Sequence, residues 1–125
     1  MLKTLRKHHI SFKNAFEGLS WAFRTQPNFK IHAICALIAI GVGWYVELSS
    51  LEWILLLFVI VWGISAELVN TALESVVDLI TTEWRREAKI AKDVSAGAML
   101  TVAVGAIIFA FFLLIPKLVQ KLFFF

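Results

Sequence analysis

Residues 51–80 read LEWILLLFVIVWGISAELVNTALESVVDLI, and a change of character halfway along this stretch decides the fold. Over residues 51–66 the only charge is Glu52. A helix rises ~1.5 Å per residue and the hydrocarbon core of a bilayer is ~30 Å thick, so an apolar run of this length crosses most of it. From Glu67 polar residues return, yet they remain compatible with a helix that continues to about Ile80. The run lacks the period-2 alternation of a membrane β-barrel. It is a transmembrane helix with a polar end.

Two further stretches have the same reading. Residues 29–46 are apolar apart from Lys30 at the margin and His32 inside, and residues 94–115 carry no charge. The third span therefore covers about 93–115 and is expected to end before Pro116, which cannot supply a helical N–H. Ahead of the first span, Phe12, Ala15, Phe16, Leu19 and Phe23 recur at helical spacing and form one apolar stripe. That pattern predicts an amphipathic helix over about 11–26, lying in the membrane interface or packed on other protein, with Pro27 breaking it. The expected architecture is all-α: three transmembrane helices and one N-terminal surface helix in a single domain over 1–125.

Composition agrees. Of the 125 residues, 60% are hydrophobic and 17% charged, against the ~45–50% apolar share of soluble domains. A soluble chain this short cannot bury that much apolar surface. Disorder is excluded by the same figure, a disulfide scaffold by the lone Cys35, and a multidomain enzyme by length.

Orientation follows from Lys and Arg. Lys3, Arg6, Lys7, Lys13, Arg24 and Lys30 precede or open the first span, and Arg85, Arg86, Lys89 and Lys92 lie between the second and third. The first link has only Glu47 and Glu52, while Lys117 and Lys121 near the C-terminus oppose the trend. The N-terminus and second link are expected in the cytoplasm. The net charge of +3 suits an anionic membrane surface better than nucleic acid. Trp21, Trp44, Tyr45, Trp53 and Trp84 fall near the boundaries, as interfacial aromatics do.

The chemistry sits at the polar end of the second span. At about 100° per residue, Glu67, Asn70, Thr71, Glu74 and Asp78 fall within roughly ±60° of one line. Counting from Leu51, Glu67 lies ~24 Å along the helix and Glu74 ~34 Å, so the row starts just inside the hydrocarbon and ends among headgroups. A water-soluble substrate and the polar end of a lipid can meet there. Intramembrane carboxylates are usually functional, paired, or both. Helix gluing is the structural alternative, although Asn or Ser would do that at lower cost. Lys92 and Asp93, preceded by Glu83, Arg85, Arg86 and Lys89, form a second cluster. Its basic groups suit polyphosphate, and they equally suit a positive-inside anchor. No G-x-x-x-x-G-K-[ST] occurs, so a nucleotide would be held by side chains and metal. His8, His9 and His32 lack ligand spacing, and Ser95, Ala96, Gly97, Ala98, Thr101 and Gly105 read first as packing residues.

The run Glu67-x-x-Asn70-Thr71-Ala72-x-Glu74-x-x-x-Asp78, followed by Ala91-Lys92-Asp93 and a small-residue third span, resembles the prokaryotic diacylglycerol kinases and undecaprenol kinases. The resemblance covers essentially the whole chain. It implies a homotrimer with shared active sites that transfers the terminal phosphoryl of ATP to a lipid hydroxyl with Mg²⁺, the lipid being undecaprenol or diacylglycerol. It further implies Glu67 as catalytic base supported by Asn70, and Glu74 as metal-binding carboxylate and nucleotide neighbour. Glu83, Arg85, Lys92 and Asp93 match nucleotide contacts, and Ala96 with Glu67 falls at the lipid. One position departs: where the family commonly has a second metal-binding Glu, this chain has Gln26. A small ion or proton channel subunit is the competing class, since intramembrane carboxylates also line conduction paths, and a non-catalytic scaffold is a third.

Overall fold

The structure, a computed structural model, describes residues 2–123, with side chains described over 12–123. The expected charges Lys3, Arg6 and Lys7 lie outside the described side chains. Four helices follow one another: α1 (Leu2–Thr25), α2 (Pro27–Tyr45), α3 (Ser50–Ile80) and α4 (Arg86–Phe123). The last three are long and apolar enough to cross a membrane. α3 and α4 pack along most of their length as an antiparallel pair, and α2 lies against α3.

α1 keeps Phe12, Phe16, Leu19 and Phe23 exposed, Phe23 meeting the Phe29 ring of α2 edge-on at 6.2 Å, while Ala22 is buried. Extended Gln26 separates α1 from α2, with Pro27 in the first turn of the next helix, where its missing N–H costs nothing.

The link between α2 and α3 is built atom by atom. Leu48 N donates to Gly43 O at 3.1 Å and Glu47 N to Trp44 O at 3.2 Å, the paired bonds of a Schellman motif. The motif needs a left-handed residue, and here it is Glu47 at φ 58° rather than glycine. Leu48 then folds over Gly43, where an added Cβ would stand 2.9 Å from Leu48 Cδ1. Ser49 caps α3 reciprocally with Glu52: Ser49 N donates to Glu52 Oε2 at 2.8 Å, and the Ser49 hydroxyl accepts from Glu52 N. This is a capping box.

The packed core sits beside this turn. Val46, Leu48, Leu56 and Leu114 are buried together, flanked by Trp53, Phe109 and Leu118.

α4 corrects the expected end of the third span, because the helix runs through Pro116 to Phe123. Proline removes one backbone bond and crowds the preceding turn, but neighbouring helices make that tolerable inside membranes. Here Lys117 Nζ lies 3.0 Å from Glu52 and Lys121 Nζ 2.6 Å from Glu47. Lys121 also stands 5.2 Å from the centre of the Tyr45 ring, within cation–π range. The two lysines that oppose the charge asymmetry are therefore tied to the two acids of the first link.

Candidate active site

At the other end of α3 the helix carries its polar row inward. Glu67 is 1% exposed, Asn70 4% and Thr71 7%, while Glu74 is half-buried and Asp78 exposed. The gradient follows from register: these residues share one face, and that face descends from the packed interior to the α3–α4 connection. Asn70 Nδ2 donates to Glu74 Oε1 at 3.0 Å, an i,i+4 pair that fixes the amide and leaves Asn70 Oδ1 as a free acceptor.

Three buried side-chain atoms have no partner among the described residues: Glu67 Oε2, Asn70 Oδ1 and Ser95 Oγ. All three belong to α3 and α4, towards the acidic end. Buried polar atoms in proteins are nearly always satisfied, and each exception calls for a reason. A carboxylate oxygen left bare at this depth is costly to folding.

Where α3 ends and α4 begins, Lys92 Nζ donates to Asp78 Oδ1 at 2.5 Å and Lys89 pairs with Asp93. Lys92 is thus brought against the end of the acidic row. Arg85 lies 3.6 Å from Glu83 in the exposed connector, a pair contributing little to stability. Ala96 is half-buried beside Ser95. Gln26 stands at the α1–α2 junction, where its amide nitrogen donates to Thr25 Oγ1 at 3.4 Å. Among the described residues, no three His, Cys, Asp or Glu side chains come together as a metal-binding group.

Among the crevices formed by the described residues, two lie between the spans. One, of about 320 Å³, lies between α2, α3 and α4, with Asn28 and His32 towards one end and Leu56 and Ala110 towards the other. The second, also about 320 Å³, lies between α3 and α4 and has Asn70 and Ser95 among otherwise mostly apolar walls. Ser95 is the residue that sequence reasoning assigned to packing. The signal that singles it out is its spacing: three residues after Lys92, it shares the α4 face turned to α3.

Comparison with known proteins places these features in a family. The family model described as prokaryotic diacylglycerol kinase matches residues 13–114. The undecaprenol kinase of Bacillus subtilis is 40% identical over 114 residues, covering 91% of this chain and 93% of that protein. A diacylglycerol kinase of Synechocystis is 41% identical over 112 residues, covering 89% of this chain and 64% of its own length. A diacylglycerol kinase of Escherichia coli K12 is 26% identical over 94 residues, covering 75% of this chain and 77% of its own. The matched span takes in the whole acidic row and the Lys92–Asp93 cluster, and on that ground the chain belongs to the prokaryotic diacylglycerol kinase family.

Proposed function

We propose that this chain is a lipid kinase of the cytoplasmic membrane, moving the terminal phosphoryl group of ATP to the hydroxyl of undecaprenol or diacylglycerol. The observation that carries the reading is Glu67: a fully buried carboxylate with an unpartnered oxygen, one turn from the Asn70–Glu74 pair. A group kept bare in the unliganded chain is available to a ligand. The lipid O–H gives its proton to the Glu67 carboxylate as the lipid oxygen bonds to the γ-phosphorus. The bond from that phosphorus to the β-bridging oxygen breaks, and ADP leaves. Asn70 orients the site through its bond to Glu74.

The donor set fits magnesium, which takes hard oxygen ligands and needs few from protein. Glu74 would hold it, with Asn70 Oδ1 in reach of the same turn and Gln26 offering only a neutral carbonyl oxygen. Bound magnesium would neutralise charge on the transferring phosphoryl group. Lys92 and Asp93 would meet the nucleotide, as would Glu83 and Arg85 from the connector. For that, Lys92 exchanges Asp78 for phosphate. Ala96 leaves room for the lipid beside Glu67.

This chemistry requires the α3–α4 connector and the N-terminus in the cytoplasm, where ATP is, and the basic residues at 13, 24, 30, 85, 86, 89 and 92 support that. A homotrimer with sites shared between copies, as the resemblance implies, would bring a neighbouring copy's side chains to this acidic end. The exposed stripe of α1 offers a second surface for such contact, or for lipid. A conducting subunit finds no support, since one to three turns beyond Glu67 the same α3 face presents Gly63, Ile60 and Leu56.

Purified protein with Mg·ATP is expected to phosphorylate at least one of the two lipids, and Glu67→Gln to stop it. Full turnover by Glu67→Gln would remove the assigned base.

A further inference from the structure

We infer that Asp78 is a built-in competitor of the nucleotide: in the resting chain its carboxylate occupies Lys92, and phosphate binds there by displacing it. The inference rests on the lipid-kinase reading and adds a control to its nucleotide side. Asp78 is the last member of the acidic row, one turn beyond Glu74, and Lys92 comes from the second turn of α4. Lys92 Nζ donates to Asp78 Oδ1 at 2.5 Å, a charge-assisted bond.

The pair does more than decorate a surface. Among the described residues it is the one side-chain bond that joins α3 to α4 at the acidic end. Its counterpart at the far end is Lys117 with Glu52. The neighbouring cation, Lys89, is taken as well, by Asp93 on its own helix. Both lysines of the cluster therefore meet a polyphosphate already neutralised, each by one carboxylate.

The pair is also open to exchange. The Lys92 side chain is 37% exposed and that of Asp78 60%, so water reaches both partners and separating them strands no buried charge. An ammonium has three donors and could touch two anions at once. A carboxylate beside a phosphate repels it, however, so phosphate gains the full attraction of Lys92 only when Asp78 turns away. An unpaired lysine at this face would hold any anion that arrived. With Asp78 in place, a ligand held by Lys92 alone is kept off, whereas a nucleotide with further contacts still binds.

The test reads nucleotide binding and turnover in the full chain. Asp78→Asn keeps size and polarity and removes the competing charge. It is expected to lower the ATP KM about threefold to fivefold, the range of an exposed ion pair, with kcat and the lipid KM within about twofold. The gap from wild type should narrow at high salt, which screens the pairing that wild type retains. Asp78→Glu keeps the charge and should hold the ATP KM within about twofold of wild type. A pair that only ties helices predicts no gain in nucleotide affinity, so an unchanged or raised ATP KM in Asp78→Asn would overturn the inference. An equal fall in Asp78→Glu would do the same, since charge would not be the cause. A second measurement is independent of turnover. With lipid absent, Mg·ATP should raise the Tm of Asp78→Asn by more than that of wild type, because tighter binding stabilises more; an equal or smaller rise would also overturn it. Wild-type protein inactive on both lipids would sink the kinase reading, while the two Tm shifts would still decide the role of Asp78.

Discussion

The two ends of the α3–α4 pair are built on opposite rules. At the end beside the α2–α3 turn, Ser49 and Glu52 satisfy each other, Lys117 and Lys121 are paired with acids, and Val46, Leu48, Leu56 and Leu114 close over one another. At the acidic end, Glu67, Asn70 and Ser95 are equally buried and none is fully satisfied. Burial with complete pairing stabilises a fold. Burial with atoms left bare costs stability, and such sites persist where a ligand supplies the missing partner. The chain is anchored at one end so that the other can remain incomplete.

The sharpest way to break this contrast is Glu67→Gln. Loss of a general base costs ~10²–10⁴-fold in turnover, whereas the neutral isostere should leave thermal unfolding in detergent unchanged or shifted upward. A large drop in stability would make Glu67 a structural residue. The mirror experiment is Leu56→Ala at the packed end. Hydrocarbon is as apolar as this core, so only lost packing counts, and about 2 kcal/mol of destabilisation is expected, with KM values unaltered. Next comes Glu74→Gln, which should raise the magnesium concentration needed for half-maximal rate by about tenfold. An unchanged requirement would remove Glu74 as the ligand.

The smallest effect concerns Glu47, whose carboxyl lies below the usual carboxylate range because Lys121 donates to it and attracts its charge. A depressed value means that the pairing contributes above the ordinary carboxylate range and is lost as pH falls through the lowered one. Between neutral pH and about 5, thermal stability should therefore not respond to this pair; below that, wild type should lose a small margin that Lys121→Ala lacks. Parallel curves for the two proteins would show that the ion pair contributes nothing.

Much was legible before any coordinates. Helical period placed Glu67, Asn70, Thr71, Glu74 and Asp78 on one face, and the structure keeps them there, graded from buried to exposed. Pro116 was read as a stop because its local cost is real; packing around Leu114 and Leu118 and the pairs at Lys117 and Lys121 let the helix continue. Glu47 in a left-handed turn had no signal, since glycine is the usual occupant and the Lys121 partner is far away in sequence. Ser95 looked like any small residue of a close-packed span.

Run lengths of apolar residues, the positions of charge and the 3.6-residue repeat are local quantities, and they alone determined the number of spans, the surface helix and the acidic stripe. Which buried atoms find partners depends on what a neighbouring helix presents at the same height. Only the tertiary structure decided that Lys92 meets Asp78, that Lys121 meets Glu47, and that Glu67, Asn70 and Ser95 are left waiting, because hydrogen-bond satisfaction is a property of two surfaces in contact and no single stretch of chain contains both.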